Sequence, residues 1–138
     1  MSVDYNTFAK TFAKSRKNMK WPELEYFFSC IWKDVSILDM GCGSGRFLEQ
    51  FHEYFWKFPD DYVGVDLSKE LLNEARKAYP WHTFLQWDMR KIWEAWIQKL
   101  YDNIFCIASF HHLETLDQRI DFLNDIQKYV IEWWNIYM

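Results

Sequence analysis

The chain has 138 residues, of which 50% are apolar and 21% are aromatic. This composition excludes a disordered segment, and the length fits one domain. The 16 lysines and arginines against 20 acidic residues give a net charge of −4, which excludes a uniformly basic nucleic-acid-binding domain.

The positive charge is concentrated near the N-terminus. Five cations and no acid lie between Tyr5 and Pro22, which leaves eleven bases against twenty acids in the rest of the chain. A local basic segment can meet phosphate groups, although a solvated helix face has the same composition. The five cations are Lys10, Lys14, Arg16, Lys17 and Lys20.

The cysteines and the hydropathy predict a cytoplasmic protein. Cys30, Cys42 and Cys106 are widely spaced and form no CxxC pair, which favours reduced thiols over a disulfide framework or a zinc site. No apolar run approaches the roughly 18–20 residues of a membrane span, and the charged N-terminus lacks a signal-peptide core. We therefore expect no membrane association.

Short buried strands alternate with amphipathic helices along the chain. Pro22 is predicted at the first position of a helix, and Ser68 is predicted to cap another. The apolar stripes of the four predicted helices are Leu24, Phe27, Phe28 and Ile31; Phe47, Phe51 and Tyr54; Leu71, Leu72 and Ala75; and Leu116, Ile120, Leu123 and Val130. The predicted strands are Val35–Asp39, Tyr62–Asp66, Thr83–Gln86 and Asn103–Ser109, followed by an extended segment from Asn135.

This alternation predicts an α/β fold, a Rossmann-like parallel sheet with flanking helices. In such sheets ligands bind beyond the carboxyl ends of the strands, where the strand order reverses. The pattern does not determine the strand order itself.

A glycine cluster follows the first predicted strand. Three of the four glycines (Gly41, Gly43 and Gly45) lie within five residues, in the turn DMGCGSG that begins at Asp39. Glycines let the backbone bend sharply and approach a ligand closely. The dinucleotide fingerprint would place Gly or Ala at position 46, which is Arg46, and the phosphate-binding P-loop pattern is absent. The carboxylate of Asp39 would repel a pyrophosphate but suits a cofactor with a cationic amino-acid end.

Two more acids end the next predicted strands. Asp66 lies 21 residues after Gly45, a spacing suited to accepting hydrogen bonds from ribose hydroxyls, and Leu67 beside it suits an adenine face. Asp88 suits an adenine amino group, with Met89 as its apolar neighbour. Acids at strand exits also form turns and cap helices, but three of them together with the glycines favour a cofactor site.

These residues resemble a known family. The segments ILDMGCGSGRFLE, YVGVDLSKELLNEARK, FLQWDMR and YDNIFCIASFHHL are similar to successive motifs of class I S-adenosylmethionine-dependent methyltransferases, over roughly residues 35–138. The resemblance implies S-adenosylmethionine as cofactor, with the glycines at its methionyl part and Asp39 near its ammonium. It places Asp66 at the ribose, and Asp88 and Met89 at the adenine. Ser109, His111 and His112 would face the methyl group and the acceptor, and the two histidines are the candidate catalytic residues.

A narrower resemblance concerns the acceptor. RKNMKWPELEYFF and SFHHLETLDQRIDFLNDIQKYV are similar to the tRNA wobble-uridine carboxymethyl methyltransferases, which implies substrate-binding roles for Arg16, Trp21 and Arg119. Alternatively, Trp21 simply anchors a helix start and Arg119 pairs with Asp117 or Asp121. Small-molecule methyltransferases share most of this pattern, so a tRNA and a small molecule both remain candidate acceptors. The paired histidines do not predict a metal site, because adjacent residues point in different directions and no third ligand is suitably spaced.

The chain departs from the family in two ways. Family members continue after the fifth strand, so we expect a domain truncated there, with an N-terminal helical extension over residues 1–34 and the cofactor domain over 35–138. A cofactor-binding or interaction remnant without catalysis is the alternative function. Trp87, Trp133 and Trp134 stand where the family often has glycine, which predicts bulky side chains in turns that favour left-handed backbone. A UGA codon read with the wrong table would explain such a substitution.

Overall fold

The computed structural model describes residues 20–95 and 97–138. Within them, five parallel strands form one sheet in the order β3-β2-β1-β4-β5. The strands are β1 (Ser36–Met40), β2 (Asp61–Asp66), β3 (Thr83–Gln86), β4 (Asn103–Phe105) and β5 (Ile136–Tyr137). The predicted parallel α/β sheet is confirmed.

Helices connect the strands and cover both faces of the sheet. The α-helices are α1 (Pro22–Ser29), α2 (Arg46–Phe55), α3 (Lys69–Ala78) and α4 (Leu116–Ile126), and short 3₁₀ helices span Met89–Glu94, Phe110–His112 and Gln127–Tyr129. No helix within the described ranges is long and apolar enough to cross a membrane.

Local sequence signals define where these helices begin. Pro22 takes the first position of α1, as its fixed φ favours. The Ser68 hydroxyl caps α3 by accepting a hydrogen bond from the Leu71 N–H at 3.3 Å. Thr115 and Gln118 form a reciprocal capping box at the start of α4.

Two apolar layers lie on opposite faces of the sheet, because alternate residues of each strand point to opposite sides. On one face an aromatic cluster links α1 and α2 to the sheet, with Phe28 packed against Phe47 and Phe51 at 5.5 Å between ring centroids. On the other face Leu38 and Met40 pack with side chains of α4 and the 89–94 helix. Helix α1 therefore shares its core with residues that lie beyond the predicted boundary at residue 34.

The sheet order places the site. Strand β1 lies between β2 and β4. Strands β2 and β3 lie on one side of β1, and β4 and β5 lie on the other. A crevice is expected beyond the carboxyl ends of β1 and β4 at such a reversal. The turns after β1, β2, β3 and β4 all open at this one edge.

Two of the predicted elements were wrong in detail. The strand predicted over Asn103–Ser109 ends at Phe105. The predicted stripe of the last helix is also wrong, because Leu116 and Ile120 are 70% and 46% exposed while Phe122 and Ile126 are the buried residues. The α-helix ends at Ile126 and a 3₁₀ turn follows, so Val130 does not continue its period.

Left-handed backbone occurs at a tryptophan other than those predicted. Among the described non-glycine residues, Trp56 (φ 58°) and Ala108 (φ 55°) have positive φ. Trp87, Trp133 and Trp134 do not, so the expectation of left-handed backbone was wrong for all three.

Candidate functional site

A cavity of about 470 Å³ opens at the carboxyl edge of the sheet. Its volume lies in the range of small-molecule sites, which run roughly 300–1,000 Å³. Its walls come from the turns after the first four strands, from the start of α1 and from the segment that leads into α4.

The glycine turn forms the floor of this cavity. The Gly41 N–H donates to the Val65 carbonyl at 2.7 Å, which ties the turn to the end of β2. A Cβ on Gly41 would lie 2.3 Å from the Ser109 Cβ, so no side chain fits there. A Cβ on Gly43 would meet Leu71 Cδ1 at 3.9 Å, an ordinary contact, and both residues line the cavity. Gly43 therefore keeps open space for a ligand, whereas Gly41 permits close packing of the turn on Ser109.

Gly45 and Asp39 were predicted at the cofactor but do not line the cavity. A Cβ on Gly45 would meet the Tyr79 ring at 3.0 Å, so this glycine serves the packing of α2 against α3. Asp39 points to the α1–α2 face of the sheet, where its carboxylate accepts a hydrogen bond from the Tyr62 hydroxyl at 2.6 Å. Burial raises the pKa of Asp39 to about 7. Asp39 therefore does not line the cavity, and the role predicted for it near the cofactor's ammonium stays a prediction.

Asp66 stands beside the glycine turn. Its Oδ2 accepts a hydrogen bond from the Gly43 N–H at 2.8 Å and its Oδ1 one from the Ser68 N–H at 2.8 Å. Burial raises the pKa of Asp66, and these two backbone donors act in the opposite direction. The carboxylate is thus fixed in orientation on the cavity wall.

The turn after β3 brings an acid and apolar surface to the same wall. Asp88, Met89 and Trp87 line the cavity, and Leu67 from the β2 turn faces it with 59% of its surface exposed. The Asp88 carboxylate caps the 3₁₀ helix by accepting from the Arg90 N–H at 2.9 Å. It also accepts from the Arg90 side chain, which lowers the pKa of Asp88.

The segment after β4 supplies the opposite wall. The Ser109 hydroxyl is buried and donates to the Met40 carbonyl at 2.8 Å, which joins this segment to the end of β1. His111 and His112 both line the cavity, with ring centroids 4.1 Å apart. Burial and the neighbouring His111 lower the pKa of His112, which favours its neutral imidazole.

Trp21 lines the cavity from the start of α1, as one of the predicted substrate-binding residues. The backbone N–H of Trp21 donates to Gln50 Oε1 at 3.0 Å, and Gln50 Nε2 donates to the backbone carbonyl of Trp21 at 3.3 Å. The guanidinium of Arg46 lies 4.1 Å from the centre of the Trp21 ring. Gln50 therefore fixes the backbone of Trp21, and Arg46 packs on its indole.

The other two predicted substrate-binding residues are not placed in the cavity. Arg16 lies outside the described residues. Arg119 does not line the cavity; its Nε donates to the Leu113 carbonyl at 2.9 Å. The described residues contain no ion pair between Arg119 and Asp117 or Asp121, so the ion-pair alternative was wrong, while the substrate-binding roles of Arg16 and Arg119 stay predictions.

Several cavity residues were not predicted as site residues. Arg46 directly follows the glycine turn and Arg90 follows Asp88 by two, so proximity to a motif was an available signal for both. Glu114 and Gln118 line the cavity because the capping box of α4 lies at its rim. Among the described residues no group of three or more His, Cys, Asp or Glu side chains could hold a metal ion.

Residues 37–130 match the sequence profile described as a methyltransferase domain. The chain belongs to this family. The predicted relationship to class I S-adenosylmethionine-dependent methyltransferases is thereby confirmed, together with the Rossmann-like fold.

Two curated relatives are similar over different lengths. The chain is 44% identical over 55 residues to a dTDP-3-amino-3,4,6-trideoxy-alpha-D-glucopyranose N,N-dimethyltransferase of Streptomyces venezuelae, covering 40% of this chain and 22% of that protein. It is 25% identical over 122 residues to a tRNA (carboxymethyluridine(34)-5-O)-methyltransferase of Xenopus tropicalis, covering 88% of this chain and 18% of that protein. The chain thus spans about a fifth of the length of either relative.

Solved structures share the fold at low identity. The crystal structure of Streptomyces venezuelae DesVI superposes with a TM-score of 0.71 at 22% identity, covering 96% of this chain and 56% of that one. A TehB-like S-adenosylmethionine-dependent methyltransferase from Corynebacterium glutamicum superposes with a TM-score of 0.72 at 21% identity, covering 90% and 67%.

Proposed function

We propose that this chain binds S-adenosylmethionine in the cavity and that the protein transfers the cofactor's methyl group to a polar acceptor. The observation that carries the proposal is the pairing of Gly43 with Asp66. A backbone position that keeps a side chain out of the cavity lies 2.8 Å from a carboxylate that its neighbours hold in place. Family membership over residues 37–130 supports the same cofactor.

The residues present fit the parts of this cofactor. Asp66 would accept hydrogen bonds from the ribose hydroxyls, and the open backbone at Gly43 would leave space for the methionyl end. Asp88 would bind the adenine amino group, between the apolar surfaces of Leu67 and Met89. We assign no direct contact to Asp39 or Gly45, because neither lines the cavity.

Methyl transfer needs little acid–base catalysis from the protein. When bound, the sulfonium supplies a methyl group with an activated leaving group. The cavity walls then exclude water and align the acceptor, and alignment of this kind is worth several kcal/mol. A neutral His112 on the acceptor wall is able to take a proton from an acceptor amine or hydroxyl. We therefore retain His111 and His112 as the acceptor-side candidates, with proton transfer assigned to His112.

Two classes of acceptor are supported by different similarities. The tRNA methyltransferase aligns with 88% of this chain, and the chain carries the N-terminal cations that could meet phosphates. The sugar methyltransferase has the higher sequence identity, but over 55 residues only. One of the five cations, Lys20, pairs with Glu53 at 2.6 Å within the chain.

The cytoplasm remains the proposed location, supported by three free cysteines.

Calorimetric titration with S-adenosylhomocysteine tests the cofactor. We expect saturable binding to the folded chain and none with NADH, whose fluorescence would change if a dinucleotide bound instead. A chain that is folded by circular dichroism but shows no heat with millimolar S-adenosylhomocysteine would refute the proposed function.

Transfer of a radiolabelled methyl group tests the acceptor. Bulk tRNA and nucleotide-linked amino sugars are offered separately, and incorporation into one pool identifies the class. If tRNA is the acceptor, replacing Lys10, Lys14 and Lys17 by Gln should weaken its binding and flatten its salt dependence. The same replacement at Lys33, Lys77 and Lys128 removes equal charge elsewhere and should have a smaller effect. Binding of S-adenosylhomocysteine without transfer to either pool would favour the non-catalytic remnant.

A further inference from the structure

Asp88 and Arg90 form a two-pronged ion pair on the cavity wall. Arg90 Nε lies 3.0 Å from both carboxylate oxygens of Asp88, and Arg90 Nη2 lies 2.6 Å from Oδ2. The Arg90 N–H adds a fourth contact, at 2.9 Å to Oδ1. Both residues line the cavity.

This arrangement occupies most of the hydrogen-bonding capacity of the carboxylate. An ionised carboxylate offers about two acceptor positions on each oxygen. Three N–H groups of Arg90 already contact Asp88, and because Nε–H is shared between both oxygens, each oxygen has two such contacts. A further donor entering the cavity therefore competes with the Arg90 side chain for the carboxylate oxygens.

The Arg90 side chain is free to leave at modest cost. It is 52% exposed while Asp88 is 22% exposed, and ion pairs open to solvent are weak. Glu114, which lines the same cavity, also attracts the Arg90 guanidinium. A displaced guanidinium thus remains near another carboxylate at the cavity rim.

We infer that Arg90 is a positioning residue that competes with the ligand's base for Asp88, and that its release is part of ligand binding. The inference rests on the proposed function, in which Asp88 accepts a hydrogen bond from the 6-amino group of adenine. Arg90 then sets selectivity for the base. It competes with an amino donor at position 6, but can itself donate to a 6-oxo group.

Calorimetry with two ligands and two variants tests this role. Arg90→Gln removes the fork, and Lys91→Gln removes the same charge one residue away without touching the Asp88 carboxylate. With S-adenosylhomocysteine, we expect Arg90→Gln to tighten Kd about 2- to 5-fold, the range for a solvent-exposed ion pair. Lys91→Gln should leave Kd unchanged. With S-inosylhomocysteine, whose base carries a 6-oxo group, Arg90→Gln should bring no gain.

Ionic strength gives a second readout. Salt screens the exposed ion pair, so the difference in Kd between the wild type and Arg90→Gln should narrow as salt rises. Arg90→Lys keeps the charge but cannot form the fork, and its Kd should fall between the two. Thermal melting confirms that each variant is folded.

The outcomes separate the inference from the proposed function. If the folded wild type binds no S-adenosylhomocysteine, the proposed function fails. If the wild type binds, the competition is refuted when Arg90→Gln leaves Kd for S-adenosylhomocysteine unchanged or raises it, or when it lowers Kd equally for both ligands. Cofactor binding stands in each of these cases.

Discussion

Gly41 and Gly43 share a left-handed backbone but differ in what their missing side chains would meet. At Gly41 the neighbour is Ser109, at 2.3 Å from an added Cβ; at Gly43 the neighbour is Leu71, at 3.9 Å. The first glycine is therefore required by packing within the fold. The second keeps part of the cavity open.

This difference predicts different phenotypes for two alanine substitutions. Gly43→Ala should fold, losing about 1–2 kcal/mol for an L residue with positive φ, and should weaken binding of S-adenosylhomocysteine by at least about 10-fold because its methyl group enters the cavity. Gly41→Ala should lose more stability, since the Ser109 segment must move. Urea unfolding and calorimetry measure the two effects.

The opposite result would contradict this interpretation. If Gly43→Ala bound with wild-type affinity, the space above Gly43 would not be where the ligand lies. If Gly41→Ala were as stable as Gly43→Ala, the contact with Ser109 would be unimportant.

The site residues differ in how far they could be predicted. Asp66 ends a strand and Asp88 and Ser109 follow strands, and strand ends in a parallel sheet meet at one edge, so their grouping could be predicted from order along the chain. Asp39 lies inside β1, where the partner that its side chain meets depends on the register against β2. That register pairs Ile37 with Tyr62, which places the Asp39 carboxylate beside the tyrosine hydroxyl. No local pattern contains this information.

At the level of elements, the end of α2 has an unusual residue. Trp56 follows the last residue of the helix with φ 58° and ψ 23°, and its backbone N–H donates to the His52 carbonyl at 2.8 Å. Glycine is the common residue at such a position because it has no Cβ to clash. The indole gains little in return, since it is 86% exposed.

We therefore expect Trp56→Gly to stabilise the protein by about 1 kcal/mol, the usual penalty for an L residue in this conformation. Trp32→Gly is the matched control, because Trp32 is 83% exposed and its backbone is not left-handed. Glycine there adds freedom to the unfolded chain, so the control should be neutral or slightly destabilised. Thermal melting of both variants distinguishes relief of strain from loss of an exposed indole; equal shifts would contradict the prediction.

Helices with local start signals could be predicted, and those set by tertiary packing could not. Pro22 and Ser68 marked the starts of α1 and α3 correctly. In α4 the predicted stripe began with the exposed Leu116, and the buried residues are instead Phe122 and Ile126. The choice depends on the angle at which α4 meets the sheet, which periodicity does not contain.

For the molecule as a whole, one buried carboxyl group links folding to pH. Burial raises the pKa of Asp39 from 3.8 to about 7, although the hydrogen bond from Tyr62 acts in the opposite direction. The folded state therefore holds this proton more tightly than the unfolded state. The stabilisation from Asp39 is complete below pH 3.8 and is lost as pH rises through about 7.

Asp39→Asn should remove this loss, because an amide oxygen accepts the Tyr62 hydrogen bond without ionising. We expect the variant to exceed the wild type in stability at pH 8 by on the order of 1–3 kcal/mol, with a smaller gain at pH 5. Urea unfolding at both values measures it, with the exposed Asp121→Asn as control. A gain that does not change with pH, or a variant less stable than the wild type at pH 8, would show that the carboxylate is not the source.

The parallel sheet could be predicted from alternating strands and helices, but the strand order could not. Order depends on which side of β1 each crossover passes, and every βαβ unit has the same local sequence pattern on either side. The pairing of β1 with both β2 and β4 brings four turns together at one edge. That placement is a tertiary property, and the cavity depends on it.

The walls of the cavity are contributed by separate stretches of chain. The proposed cofactor contacts come from turns after β1, β2 and β3, whereas most of the proposed acceptor wall lies between Ser109 and Gln118, with Trp21 added from the start of α1. Replacing the segment from Ser109 to Gln118 could therefore change the substrate while the affinity for the methyl donor stayed the same. Such modularity would let one scaffold diversify without redesigning its interior.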